Sequence, residues 1–161
     1  MLTNKSDIVE EMKVIVFRLQ DEEYGVNVKQ VKSIERLEAI TRVPKTPAFV
    51  KGVINLRGVV TPIIDLRERF ELLHDASNTE NTRVIIVTVN GVEVGLIVDS
   101  ASDVIDVPLN AIEPPPRIIG GVEVVYLHGV AKLENRLLIL LNLDKVLDAS
   151  EVQQLEGIEA V

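Results

Sequence analysis

Apolar residues come in short dense runs separated by brief polar breaks, and the spacing within each run suggests its element. From Lys13, KVIVFRLQ is strand-like, DEE is a turn and YGVNV is a second strand, which predicts a hairpin. The period then changes. Val28, Val31, Ile34 and Leu37 recur every third residue among Lys, Gln, Glu and Arg, which predicts a short helix with one apolar stripe. A short strand, ITRVP, and a TPAF loop follow. The next run, VKGVINLRGVVTPIIDL, is almost wholly apolar and is broken at its centre by Asn55-Leu56-Arg57-Gly58. LRERFELL reads as a short helix, and HDASNTEN, rich in turn formers, as a solvated loop and the candidate boundary. RVIIVTVNGVEVGLIVD is the strongest hairpin signal, two apolar strands around Asn90-Gly91, a pair suited to the positive φ angles of a type I′ turn. EPPPRIIGG is linker-like, and LHGVAKLENRLLILLNLDKVL reads as strand, turn, strand. Residues 1–12 read as a loose acidic leader, and 148–161 as a C-terminal tail or helix through Val152, Leu155 and Ile158.

The two halves resemble each other. KVIVFRLQDEEYGV aligns without gaps on RVIIVTVNGVEVGL, matching Glu23 to Glu93 and Gly25 to Gly95; KGVINLRGVVTPIIDLRERF aligns on HGVAKLENRLLILLNLDKVL, pairing Gly52 with Gly129 and Leu56 with Leu133. Each half offers about five short strands, enough for a small, strongly bent barrel of SH3 size. The expected architecture is therefore mainly β: two SH3-like five-stranded β-barrels packed together, with short helices, over residues 13–147. The first barrel spans about 13–73 and the second about 82–147, with strand exchange between them as an open alternative. Units this small bury little alone and must share an apolar interface. Runs such as VIIV and LLILL suit strands covered on both faces.

Composition narrows the function classes. The 161 residues are 47% hydrophobic but only 3% aromatic, so the core is built from Val, Ile and Leu, which favour pleated sheet. A net charge of −8 with no basic stripe argues against nucleic acid and anionic lipid as partners. Without cysteine there are no disulfides, thiolate nucleophiles or Cys-type zinc sites, and the polar start has no apolar targeting segment. No run approaches the ~18 apolar residues of a membrane helix. These features predict a soluble cytoplasmic protein with no direct membrane insertion.

Catalytic chemistry is not written in the chain. His74 and His128 have no metal-ligand spacing, and the glycines form no phosphate-binding motif, so no metal, cofactor or catalytic residue is expected. Asp65, Asp99, Asp103 and Asp106 flank strands and turns, where such residues cap or solvate. A binding surface needs less. Where the first repeat has Asn55-Leu56-Arg57-Gly58, the second has Lys132-Leu133-Glu134-Asn135, so folding of the hairpin does not require the arginine. An arginine on a hairpin tip offers a planar donor fork and a stacking face to a partner, although a solvated turn residue or a local ion pair would look the same.

The order YGVNVKQVKSIE, ITRVP, TPAFVKGVINLRGVVTPIIDLR, VGLIVDSASDVI and RLLILLNLDKVL resembles the CheW family of chemotaxis coupling proteins from about Lys13 to Leu147, with NLRG as its specific signature. The resemblance implies a non-catalytic adaptor that couples methyl-accepting chemoreceptors to the histidine kinase CheA. Its implied partners are the receptor's cytoplasmic tip and the kinase's regulatory domain, in higher-order arrays at the inner face of the membrane. The resemblance implies a receptor site in the groove between the barrels that involves Arg57 and Val31, to which Asn55, Leu56 and Gly58 of the turn are added; kinase binding is assigned to apolar surface of the first barrel, Ile34, Leu37 and Ile40. Gly52 and Gly129 are read as structural, at places where a side chain would intrude on strand packing. A CheW-like piece of a larger signalling protein, such as CheV or CheA, is the neighbouring reading; a small β-barrel enzyme is the remote one.

Overall fold

The computed structural model describes residues 10–72, 78–119 and 122–159. Its strands are β1 (Glu11–Leu19), β2 (Glu22–Asn27), β3 (Val31–Arg36), β4 (Val50–Leu56), β5 (Val59–Asp65), β6 (Arg83–Val89), β7 (Val92–Val98), β8 (Ser100–Pro108), β9 (Ile112–Glu113), β10 (Ile118–Ile119), β11 (Val122–Glu123), β12 (Leu127–Leu133) and β13 (Arg136–Leu141). Three helices are short: α1 (Leu66–Arg69), α2 (Leu143–Val146) and α3 (Ala149–Glu159). The molecule is mainly β, as its Val- and Ile-rich runs require.

One sheet has five strands in the order β3-β6-β7-β5-β4, another has six in the order β8-β1-β2-β13-β12-β9, and β10-β11 form a small ribbon. The five-stranded sheet is drawn from the continuous stretch Val31 to Val98, and the six-stranded sheet from the segments on either side. The sheets therefore do not part near residues 74–81: β5 and β6, which flank that loop, belong to one sheet. The internal repeat survives this nesting. Hairpins β1–β2 and β6–β7 correspond, and each sheet has one parallel seam where equivalent residues meet, Leu140 beside Gly25 and Ile63 beside Gly95.

Each sheet curls, because its two edges are joined by a few residues. In the six-stranded sheet the edge strand β8 runs through the 3-10 turn Leu109–Ala111 into β9 at the opposite edge, which pairs Glu113 with Val130. In the five-stranded sheet the chain leaves edge strand β3 and reaches Thr41, which bridges Val53 on the opposite edge. Gly129 and Gly52 sit beside these two closing contacts. A Cβ on Gly129 would lie 2.7 Å from Ile112 Cγ2, and one on Gly52, whose φ is +140°, would press into the Thr41 carbonyl oxygen.

Both faces of the strands are apolar. Alternate residues of β1 and β6 (Ile15, Phe17 and Leu19; Ile85, Val87 and Val89) enter one large core shared by the two sheets. The residues between them turn the other way, Val14 and Val16 with Leu138 and Leu140 in one small core, Val84 and Ile86 with Ile54 and Ile63 in another. Two-sided burial explains the near-continuous hydrophobic runs.

Several local expectations change. The helix predicted from Val28, Val31, Ile34 and Leu37 is instead a 3-10 turn, Val28–Gln30, followed by strand β3. Asn27 caps the turn, its side chain accepting from the Lys29 amide. Beyond it, pairing with β6 sets Val31 opposite Val87 and Ile34 opposite Ile85, and this ladder outweighs a spacing shared by only four residues. ITRVP contributes just the Thr41 bridge, and the helix read in LRERFELL ends after one turn, with Glu71 at φ +59°. Glu11 and Met12, assigned to the leader, already pair in β1, and residues 1–9 lie outside the described part. Helix α3 forms as expected and buries Val152 and Leu155; the side chain of Ile158 lies outside the described residues.

Candidate partner-binding surface

Hairpin β4–β5 is closed by two residues, Arg57 and Gly58, between the last paired residues Leu56 and Val59. Both have positive φ, +52° and +86°, the type I′ pattern that continues the right-handed twist of the strands. The Asn55 side chain accepts from the Gly58 amide at 2.9 Å and fixes the turn. Glycine or asparagine is the usual first residue of such a turn, and Asn90 fills that place in β6–β7 with φ +49°. An arginine held there costs about 1 kcal/mol. At the equivalent turn of β12–β13, neither Glu134 nor Asn135 takes a positive φ.

The Arg57 side chain is 72% exposed and its Nη2 lies 3.3 Å from Glu35 Oε2 on β3. A lone pair this exposed contributes at most ~1 kcal/mol. Arg57 thus sits at the tip of a rigid hairpin with its fork largely in solvent, tethered to the neighbouring edge strand. The local ion pair foreseen as the plain alternative is present, and it leaves most of the guanidinium uncovered.

Other predicted positions divide by burial. Asn55 and Gly58 are exposed beside Arg57, and Leu56 is half-buried against the small core of the five-stranded sheet. Val31 is half-buried against the shared core, so it is not a knob on an exposed helix. Ile34, Leu37 and Ile40 do not form one stripe. Ile34 points outward from β3 and is 40% exposed, whereas Leu37 and Ile40 rest against the small core beneath β4.

Sequence reasoning missed a buried polar cluster. Arg67, 1% exposed, makes a two-pronged contact with Asp65 (Nε to Oδ1 2.9 Å, Nη2 to Oδ2 3.0 Å) and also donates to Asp99 and Asn78. Asp99 also accepts from the Gln20 amide at 2.6 Å, tying the β1–β2 turn to α1 and so one sheet to the other. Arg69 makes a second such clasp: it lies over the rings of Phe49 and Tyr126 and donates to the Val146 carbonyl and to Glu151 of α3. The first clasp holds Asp65 and Asp99, two of the carboxylates read as capping residues, and Asp65 also caps α1 by accepting from the Arg67 amide. Asp103 and Asp106 pair with Arg136 and Lys13. His128 is exposed and His74 lies outside the described residues, among which no cluster of His, Asp and Glu could hold a metal ion. No helix among them is long and apolar enough to cross a membrane.

Comparison with known proteins places this geometry. The model of the CheW-like domain matches residues 13–151. The chain is 45% identical over 141 residues to the chemotaxis protein CheW of Bacillus subtilis, covering 88% of this chain and 90% of that one. It is 38% identical over 144 residues to the chemotaxis protein CheW of Klebsiella aerogenes, covering 89% and 86%. The crystal structure of scaffolding protein TtCheW from Thermoanaerobacter tengcongensis superposes with a TM-score of 0.81 at 34% identity, covering 88% of this chain and 96% of that one.

Proposed function

Because the chain belongs to the CheW family of chemotaxis scaffold proteins, we propose that it couples chemoreceptors to the histidine kinase CheA without catalysing a reaction. It does so in the cytoplasm, at receptor arrays on the inner face of the membrane. The observation that carries this reading is Arg57. A basic side chain is kept, against backbone preference, on a stiff exposed tip where the ion pair it makes among the described residues is a weak one. Such a residue costs folding free energy and returns it only when a partner covers it.

A receptor tip is a helical hairpin, which a scaffold of this kind engages through a few side-chain anchors. Arg57, with Asn55 and Gly58, is the anchor toward the receptor. Leu56, half-buried against the small core, steadies the strand that carries it, and Val31, half-buried against the shared core, belongs to β3, the strand whose Glu35 pairs with Arg57. Ile34 is the exposed member of the predicted kinase-facing trio and so the one free to meet the kinase, while Leu37 and Ile40 rest against the small core of the five-stranded sheet.

The test uses two substitutions with a receptor-tip fragment. Arg57→Gly suits the φ of +52°, so folding stability stays within about 1 kcal/mol of the parent while receptor affinity falls. Arg57→Glu leaves the fold intact and weakens binding by about tenfold or more. Unchanged pull-down of receptors by both variants refutes the assignment. Amide chemical-shift maps with the receptor fragment and with the kinase regulatory domain should give two separate footprints; one shared footprint means competition rather than coupling.

A further inference from the structure

Away from the Arg57 tip, a groove of about 740 Å3 opens along the segment that joins β3 to β4. Its volume falls within the ~300–1,000 Å3 of ligand-binding clefts. Apolar residues line it, among them Ile40, Val43, Val50 and Ile97, together with four cations, Arg42, Lys45, Lys51 and Arg67, and two carboxylates, Asp65 and Glu68. Cations thus outnumber carboxylates there, in a chain whose net charge is −8. Lys51 is paired with Glu68, but Arg42 and Lys45 are exposed and make no ion pair among the described residues.

The backbone adds a second, independent sign. Pro44 and Lys45 form a turn in which Lys45 takes φ +62°, and the Thr46 hydroxyl donates to the Val43 carbonyl at 3.1 Å. Proline followed by a residue of positive φ is type II geometry, whose second place normally belongs to glycine. Lysine there has the same backbone penalty as Arg57, and unlike Arg57 it has no ion pair among the described residues to offset it.

We propose that this groove binds an acidic segment of a protein partner, whose carboxylates meet Arg42 and Lys45 while an apolar side chain enters between Ile40, Val43 and Val50. Filling the apolar part of the groove behind the exposed Arg42 and Lys45 takes a protruding side chain, which favours a peptide over a flat anionic membrane surface. It is also separate from the hairpin tip, so its fate does not depend on the receptor assignment.

The experiment titrates the isotope-labelled full chain with a synthetic peptide in which glutamates flank leucines, and with a control in which lysines replace the glutamates. The acidic peptide should give saturable amide shifts at Val43, Lys45, Thr46 and Lys51 that weaken with added salt. Arg42→Glu combined with Lys45→Glu should lower its affinity about tenfold or more. Lys45→Gly should lower it about threefold while keeping or raising stability, since glycine accepts φ +62°. Arg57→Glu should leave it unchanged. Equal binding of the control, shifts mapping elsewhere, indifference to charge reversal, or response of the same amides to anionic vesicles but not to the peptide would each overturn the proposal.

Discussion

Tyr24 shows how little of a single side chain's situation can be read from its neighbours in sequence. YGVNV marks a strand, yet nothing in it says that the phenol is fully buried in the shared core, stacked on Phe17 with ring centroids 5.7 Å apart. Its hydroxyl has no hydrogen-bond partner among the described residues, and burial, helped by the Glu22 carboxylate, pushes its pKa up to about 12. An unpaired buried hydroxyl costs about 1–3 kcal/mol, so Tyr24→Phe should raise the denaturant midpoint by roughly 1 kcal/mol of stability. An unchanged or lowered midpoint would mean that the hydroxyl is satisfied. Arg57 was more legible, because the second repeat does without it. Its left-handed backbone was not, since Gly58 announces a tight turn but does not say which conformation its neighbour takes.

Elements were legible where pairing partners are local. All four long hairpins, β1–β2, β4–β5, β6–β7 and β12–β13, follow from paired apolar runs and the turn residues between them, because strand and partner lie side by side in the chain. β3 was misread because its partner β6 lies some fifty residues on, and period three among Val, Ile and Leu does not separate a short helix from a strand. The glycine pair was legible through the repeat, but not its inequality. Gly52 combines φ +140° with a backbone oxygen pressed directly against its missing Cβ, whereas Gly129 takes no positive φ and would set its Cβ 2.7 Å from the Ile112 Cγ2 methyl and 3.0 Å from the nearest backbone oxygen, that of Glu113. Gly52→Ala should therefore destabilise by about 3 kcal/mol or more and Gly129→Ala by clearly less, as read from thermal unfolding. Equal losses would show that the two closing contacts yield equally.

At the scale of the whole molecule, the mainly β class and the two-unit plan were in the composition and the repeat, while the route of the chain between the units was not. Turn chemistry has no say in which hairpin meets which. The seam between β2 and β13 depends on contacts across most of the chain, including Arg136, whose Nε and Nη2 donate to Glu23 at 3.1 and 2.8 Å. Those hydrogen bonds, aided by the nearby charges of Arg136 and Arg18, lower the Glu23 pKa from 4.5 despite partial burial. A depressed carboxylate pKa adds stability that is complete above the unfolded value of 4.5 and disappears as pH falls through the folded one. Arg136→Met should thus cost about 1 kcal/mol near neutral pH, and the gap to the parent should close as pH falls below 4.5 and through the lowered Glu23 pKa. A gap independent of pH would assign the loss to packing instead.

The enclosure of one sheet's sequence within the other's has a bearing on biosynthesis. As the polypeptide emerges from the ribosome, the stretch from Val31 to Val98 already holds every strand of the five-stranded sheet, whereas β1 and β2, made first, lack β13 until Leu141 has been added. The earliest hairpin is therefore the last to be completed. Until β13 is added, the sheet that holds its VIVF run is incomplete, so a chain halted before Arg136 should leave that run exposed to other chains.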